Sequence, residues 1–340
     1  MKRLYSKASV DMSNIPLQQG QADLEIHTSN PSLKSRLFQR LTKKRSDETN
    51  LAGYIFISPW LIGFLLLTLW PMVQSFYLSF TEYSLLDEPV WVGSENYSNI
   101  FLKDDLFYKS LSVTFAFVII SVPLKLFFSL MVAMLLNKNL KGMSFYRTAI
   151  YFPSLIGTSV AVAVLWRNMF GADGYVNQIL GWFGIEGVGW ISNPDTSLGT
   201  LILLTTWQFG STMVIFLAGL KQIPTDLYES ASVDGAGAIK KFFHITLPML
   251  SPVMFFNLVL GVIGSFQMFT QAFIITKGGP VNSTYTYALF LFEKAFKHYQ
   301  MGYASSLAWI LLVIIAILTG INFAVSRYWV FYESDGRGSK

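Results

Sequence analysis

The sequence contains no cysteine among its 340 residues, only three histidines, and few charged side chains. The absence of cysteine excludes disulfide bonds and thiolate metal sites. His27, His244 and His298 lie in three separate regions, which argues against a histidine metal site. Charged residues make up 13% of the chain, against roughly 25% in soluble domains. The composition therefore predicts no metal site and does not fit a soluble protein.

Motifs that convert chemical energy are also missing. No Gly-x-x-x-x-Gly-Lys-Ser/Thr phosphate-binding loop occurs in the sequence, so this chain is not expected to bind or hydrolyse ATP. Aspartate and glutamate fall almost entirely outside the apolar segments, whereas proton-coupled carriers place carboxylates within the membrane. We predict no catalytic residue and no bound cofactor in this chain, so that any work must come from another polypeptide.

The chain is rich in hydrophobic residues, which make up 52% of it, and its mean hydropathy is +0.45. Six segments are long enough to cross ~30 Å of hydrocarbon at ~1.5 Å per residue. An all-α polytopic membrane protein is therefore predicted, with a membrane domain over 51–328 and tails over 1–50 and 329–340. The predicted spans are Gly53–Phe80, Tyr108–Leu136, Phe145–Phe170, Leu198–Leu220, Leu250–Thr276 and Tyr303–Val325.

The distribution of lysine and arginine predicts the orientation. With the N-terminus inside, the cytoplasmic segments hold eighteen of these residues and the outer loops five. Positive residues concentrate on the cytoplasmic side of membrane proteins, so both termini are expected in the cytoplasm. In the N-terminal tail, leucines at helical spacing alternate with basic residues over 32–44. This pattern predicts either a basic amphipathic helix on an anionic membrane surface or a solvated basic tail.

One cytoplasmic loop, 221–249, is longer and more polar than a simple connection requires. We predict a short helix over Thr225–Val233, broken by Gly235 and Gly237, and then a second amphipathic helix. Pro248 fits the first turn of the fifth span, because its missing N–H costs little there. An ordinary amphipathic loop lying on the membrane surface is the alternative explanation for the same pattern.

The same loop resembles the signature of the permease subunits of bacterial ABC importers, which reads Glu-Ala-Ala, three residues, Gly, nine residues, Ile, one residue, Leu-Pro. The resemblance implies a coupling helix that inserts into a cleft on a separate ATPase, with Asp234 and Gly235 setting the turn beside Ala236. The signature is met at full spacing by Glu229, Ala231, Gly235, Ile245, Leu247 and Pro248, with Ser230 in place of the usual alanine.

The likeness extends to carbohydrate-importer permeases of the maltose and glycerol-phosphate type, through Tyr54–Trp60 in the first span and Ile274–Pro280 after the fifth. It covers roughly 52–328. It implies the type I ABC importer fold, with six transmembrane helices in the bacterial cytoplasmic membrane. The implied partners are a homologous second permease, two ATPase subunits that bind ATP and magnesium, an external solute-binding protein and membrane lipid. Nucleic acid is not an expected partner.

Polar residues inside the spans predict the substrate path, because such residues usually face the bundle interior or a cavity. The resemblance supports this, since the matching positions of maltose-type permeases line the substrate site. Interhelical hydrogen bonding is the alternative role. The predicted path residues are Thr205, Gln208, Phe209 and Thr212 on the fourth span, and Gly261, Ser265, Met268 and Gln271 on the fifth.

Lys125 lies deep in the second span, next to Pro123. A lysine at the centre of a membrane helix costs about 2.5–3.5 kcal/mol unless it finds a partner or reaches the surface. Two roles are predicted for it: a structural bond to backbone carbonyls that the proline frees, or contact with an acidic sugar such as a uronate oligosaccharide. The cargo is thus a neutral sugar, an acidic oligosaccharide or a glycerol phosphate ester. An ion-coupled secondary carrier is the alternative from another class.

Overall fold

The computed structural model describes residues 53–138, 141–157 and 159–331. The predicted N-terminal tail, its amphipathic helix at 32–44 and the C-terminal residues 332–340 lie outside the described residues. The chain divides into two units at the junction of Leu69 and Trp70. In the described part of the first unit, 53–69, no residue is buried, and Trp60 stacks on Phe64 with ring centroids 5.6 Å apart. A helix that is apolar on every face suits a lipid or protein environment.

Helices dominate the described residues, and a two-stranded antiparallel sheet between the first and second predicted spans is an addition to the predicted all-α fold. The strands are β1, Thr81–Glu82, and β2, Val90–Trp91. The first six helices are α1, Gly53–Leu78; α2, Glu95–Lys103; α3, Asp105–Leu136; α4, Met143–Ile156; α5, Val160–Met169; and α6, Tyr175–Trp182. The remaining helices are α7, Pro194–Trp207; α8, Gly210–Leu220; α9, Thr225–Val233; α10, Ala238–Phe266; α11, Tyr287–Phe292; and α12, Met301–Ser326.

The first, second and sixth predicted spans are confirmed as single helices, α1, α3 and α12, with ends a few residues from the predicted ones. The third and fourth are bent instead of straight, because α4 and α5 lie at 97° and α7 and α8 at 44°. Among the described residues, four helices are long and apolar enough to cross a membrane alone, and up to six spans result if each bent pair counts as one.

The fifth span differs most from its prediction. We expected a separate amphipathic helix and then a span over Leu250–Thr276, but α10 runs without interruption from the loop into the apolar segment. A π-helical turn, Phe242–Thr246, ends two residues before Pro248 in the sequence of this helix. The wider turn accommodates a residue that cannot donate an N–H, so the helix continues through it. Beyond Phe266 the chain leaves the helix, and a second π-turn follows at Ala272–Thr276.

Two clusters of buried apolar side chains hold the second unit together, and α3 contributes to both. The first includes Phe117 of α3, Leu204 of α7 and Leu307 of α12. The second includes Ala133 of α3, Phe216 of α8 and Leu250 of α10. The stretch of α3 between these clusters is therefore fixed on both sides.

Candidate functional site

A cavity of about 450 Å³, here called the membrane cavity, lies among α3, α7, α8, α10 and the segment that follows α10. Phe209 does not line it, and packs instead against the second apolar cluster. The predicted path residues that line the membrane cavity are Lys125, Thr205, Gln208, Thr212, Gly261, Ser265, Met268 and Gln271.

The wall of the membrane cavity combines hydroxyl and amide groups with apolar surface, and none of its described lining residues is a carboxylate. On the α3 side of the wall Lys125 was predicted, whereas the apolar residues Phe117, Val122 and Leu126 were not. The sequence of α3 is apolar almost throughout, so its pattern does not distinguish one face from another. Further polar residues of the wall are Ser211, Asn257, Gln267 and Thr270.

Breaks in three helical segments adjoin the membrane cavity. Gln208 follows the last residue of α7, and its Nε2 donates a 2.7 Å hydrogen bond to the carbonyl of Gly157 at the end of α4. After α10, Thr286 Oγ1 donates to the carbonyl of Met268 at 3.1 Å. Non-helical backbone at membrane depth is tolerated where protein or a water-filled cavity satisfies its polar groups. The breaks therefore place backbone and side-chain polar groups around one space.

Close packing between α8 and α4 holds one side of this arrangement. A Cβ atom built on Gly210 would come within 2.9 Å of the carbonyl oxygen of Ile150 and 2.8 Å of Ser154 Oγ. Ser211 Oγ also donates to Ser154 Oγ at 3.2 Å. Glycine at this position lets the two backbones approach, which brings the start of α8 against the end of α4.

Lys125 contributes the one charged group of the membrane-cavity wall in the described structure. Its backbone carbonyl accepts a 2.6 Å hydrogen bond from Ser129 Oγ. Its ammonium group forms no hydrogen bond or ion pair with the described residues. The predicted bond to carbonyls freed by Pro123 is therefore absent there, because the side chain extends to the cavity.

The short helix predicted over Thr225–Val233 is present as α9, at the predicted bounds. Its C-terminus is a Schellman motif, in which Gly235 N–H bonds the carbonyl of Ser232 at 3.1 Å and Ala236 N–H bonds that of Ala231 at 2.9 Å. The motif requires a left-handed residue after the cap, and Gly235 has φ +75°. The glycine of the signature thus ends the helix and turns the chain towards α10.

Contacts between α9 and the start of α10 fix the loop. The hydroxyls of Tyr228 and Thr246 are 2.9 Å apart, and Lys241 Nζ donates to Ser232 Oγ. Of the predicted coupling residues, Glu229, Ser230, Asp234 and Gly235 are exposed, whereas Ala231, Ala236, Ile245, Leu247 and Pro248 are half-buried. Apolar side chains are also exposed beside them, namely Val233 (89%), Ile239 (77%) and Phe243 (57%).

A second cavity has a volume of about 750 Å³ and lies among the β1–β2 hairpin, α2 and the start of α12. It is called the outer cleft here because its residues belong to loops that the sequence predicts to lie outside the cytoplasm. Asp104 in its wall accepts hydrogen bonds from Tyr303 Oη at 2.7 Å and Leu106 N–H at 3.1 Å, and its carboxylate pairs with Lys294 Nζ at 3.2 Å. Burial alone would raise the pKa of Asp104, but these hydrogen bonds and the lysine charge lower it overall. The carboxylate residues that line the outer cleft are Glu82, Asp87, Glu88, Glu95 and Asp104.

Comparison with known families and proteins agrees with this geometry. Residues 106–329 match the family described as "Binding-protein-dependent transport system inner membrane component". The probable ABC transporter permease protein YesP of Bacillus subtilis is 52% identical over 298 residues, which cover 86% of this chain and 96% of the relative. The arabinooligosaccharides transport system permease protein AraP of Halalkalibacterium halodurans is 33% identical over 302 residues, which cover 87% of this chain and 92% of the relative.

One solved structure has a similar fold. It is that of a bacterial ABC transporter involved in the import of the acidic polysaccharide alginate, and it has a TM-score of 0.71 with 21% sequence identity. The match covers 85% of this chain and 98% of the solved one. At that identity the likeness is one of fold alone.

Proposed function

Because the chain belongs to the family of binding-protein-dependent transport system inner membrane components, we propose that it forms part of the path of a sugar or an oligosaccharide across the bacterial cytoplasmic membrane. The chain is a non-catalytic, multi-pass permease subunit of an ABC importer. The observation that carries the proposed cargo is the wall of the membrane cavity, where hydroxyls and amides alternate with apolar side chains. Sugars present hydroxyl groups and apolar ring faces together, so such a wall can contact both.

A second, homologous permease supplies the opposite side of this path. Several residues of the membrane-cavity wall are exposed in this chain, among them Ser211, Leu260 and Gln267. Exposed polar groups at membrane depth need a partner, since lipid cannot satisfy them. With α4–α5 and α7–α8 each crossing the membrane as one bent span, the subunit has six spans and both termini are cytoplasmic.

The coupling surface is the exposed side of α9 and the adjoining start of α10. Glu229 and the exposed apolar side chains Val233, Ile239 and Phe243 form one surface that suits a protein partner better than water. We assign this partner as an ATPase subunit that binds ATP and magnesium. The external solute-binding protein docks on the opposite face of the membrane, where the outer cleft lies.

Uptake by the assembled importer in proteoliposomes tests the proposal. The second permease, the ATPase subunits and the solute-binding protein are co-reconstituted, and uptake of labelled arabinotriose, maltotriose and trigalacturonate is measured with and without ATP. At least one sugar should accumulate only with ATP. Glu229→Lys should reduce uptake about tenfold, equivalent to ~1.4 kcal/mol of coupling. Glu186→Lys, the same change at an exposed residue outside α9 and outside both cavities, should have little effect.

Two results would contradict the proposal. Uptake by this chain without an ATPase, driven by an ion gradient, would identify a secondary carrier. Full activity of Glu229→Lys, with normal stimulation of ATP hydrolysis, would show that α9 does not transmit the work of the ATPase.

A further inference from the structure

Resting on the proposed function and deepening it, we propose that Lys125 binds a carboxylate of the cargo, so that the substrate of this importer is an acidic, uronate-containing oligosaccharide. The geometry points to this through one cation on the wall of a cavity that carries hydroxyl and amide groups but no acidic side chain among its described residues.

The ammonium group of Lys125 is not neutralised by the described part of this chain. The ion pairs found there join Lys294 to Asp104 and Lys297 to Glu293, both at the outer ends of helices. The carboxylates of α3 and α7, Asp105 and Asp195, lie in the first turns of those helices. A charge in a low-dielectric site is strongly stabilised by an opposite charge and is costly without one.

Lys125 also has no route to the membrane surface along its own helix. It precedes Leu136, the last residue of α3, by eleven positions, which corresponds to ~17 Å of helix at ~1.5 Å per residue. This distance exceeds the length of an extended lysine side chain. The side chain instead reaches the membrane cavity, where water or a ligand can solvate the ammonium group.

The neighbouring groups of the wall suit the remainder of a uronate sugar. Thr212 and Gln271 provide a hydroxyl and an amide on the same cavity, and both can donate to or accept from sugar hydroxyls. Phe117 and Phe269 provide apolar surface for a ring face. A carboxylate on Lys125, with sugar hydroxyls on Thr212 and Gln271, thus satisfies the polar groups of both the cavity and the sugar.

The test compares two trisaccharides that differ only at C6 of each ring: labelled trigalacturonate with charged carboxylates, and the same sugar with its carboxyl groups reduced to neutral primary alcohols. Uptake by the reconstituted importer is measured for the wild type and for Lys125→Met, Lys125→Arg and Lys125→Glu. Lys109→Met changes the other lysine of α3, which is exposed and outside the cavity, and serves as the control. The amount of assembled complex in the membrane is measured for each variant.

Lys125→Met should reduce trigalacturonate uptake about tenfold or more, as expected for loss of a hydrogen bond to a charged group, and Lys125→Glu should reduce it further. Lys125→Arg and Lys109→Met should retain most of it. Uptake of the reduced trisaccharide, where the wild type carries it, should change little in any variant.

Equal losses for both substrates would overturn the inference, because they indicate a structural role or a countercharge on the second permease. Wild-type uptake of neutral sugars without uptake of trigalacturonate would also overturn it, and would leave the proposed sugar importer intact. Failure of the wild type to take up any sugar, while it imports another polar solute with ATP, would overturn both.

Discussion

Gln208 shows how one side chain can belong both to a cavity wall and to the framework around it. Its amide donates to the Gly157 carbonyl, yet the residue also lines the membrane cavity. A Cβ atom on Gly157 would lie 2.4 Å from Gln208 Cγ, so the contact leaves no room for a larger residue. The position of this wall residue therefore depends on the glycine that ends another helix.

Gly210 provides a test of the close approach of α8 to α4. In Gly210→Ala the added methyl group would meet backbone atoms of Ile150 and Tyr151 at 2.9 Å. We expect a loss of about 1–3 kcal/mol of stability, as for overpacking elsewhere, measured as a lower thermal denaturation temperature of the purified complex. Gly199→Ala, in α7, is the matched control, because nothing lies within 4 Å of its added Cβ. Equal effects of both substitutions would contradict the tight contact.

The difference between Gln208 and Phe209 marks the limit of sequence analysis at this scale. Thr205, Gln208, Phe209 and Thr212 would share a face on an uninterrupted helix. The helix instead ends at Trp207 and resumes at Gly210 with a 44° bend, so Phe209 turns to the second apolar cluster. Hydrophobic periodicity reports which residues are apolar, but it carries no information on a bend made by tertiary contacts.

Among the elements, α9 is the one whose bounds local chemistry predicts best. Local sequence determines where α9 ends, because a glycine at the left-handed position completes the Schellman hydrogen bonds. The continuity of α10 could not be predicted in the same way. Pro248 normally indicates the start of a helix, and only the π-turn before it allows the helix to run through.

Two neighbouring glycines, Gly235 and Gly237, test whether the left-handed turn after α9 matters for coupling, because only Gly235 has a positive φ. Gly235→Ala forces an L-residue to φ +75°, at a cost of about 1–2 kcal/mol, and should displace the exposed side of α9. Gly237→Ala has an ordinary negative φ of −69° and open space around its Cβ. We expect the first substitution to reduce ATP-dependent uptake and the second to leave it nearly unchanged. Equal uptake by the two variants would show that the shape of this turn does not matter for coupling.

At the scale of the whole molecule, the outer cleft joins parts of the chain that are far apart in sequence. Asp104 precedes α3, whereas Lys294 and Tyr303 lie near the start of α12, and the three side chains meet in one network. Lys294 Nζ also lies 4.7 Å from the ring centroid of Tyr303. Hydropathy predicts that the protein is a membrane protein and predicts its approximate spans. Contacts between loops that are far apart in sequence leave no periodic pattern in a single sequence, so this network could not be predicted.

Acid should weaken the Asp104 network. The pKa of Asp104 is lower in the folded protein than its ordinary value of 3.8, so the network stabilises the fold above pH 3.8 and this contribution is lost as the pH falls through the folded pKa. Asp104→Asn should therefore cost about 1–3 kcal/mol at pH 7, as for other hydrogen bonds to charged groups. The difference in denaturation temperature from the wild type should shrink towards pH 3.

Lys297→Met is the control for that measurement. Lys297 pairs with Glu293 at 3.2 Å but its side chain is 65% exposed, and exposed pairs contribute only ~0–1 kcal/mol. A Lys297→Met effect as large as that of Asp104→Asn, or a difference that grows on acidification, would contradict the stabilising role of the Asp104 network.

The unbroken course of α10 has a mechanical consequence. Ala238 and Gly261 belong to one helix, and the 23 residues of rise between them correspond to ~35 Å at ~1.5 Å per residue. Treated as a rigid rod pivoting at one end, such a helix converts a tilt of about 5° into a displacement of about 3 Å at the other. In the proposed coupling to an ATPase, a small angular change at the start of α10 can thus widen or narrow the membrane cavity by the diameter of a water molecule.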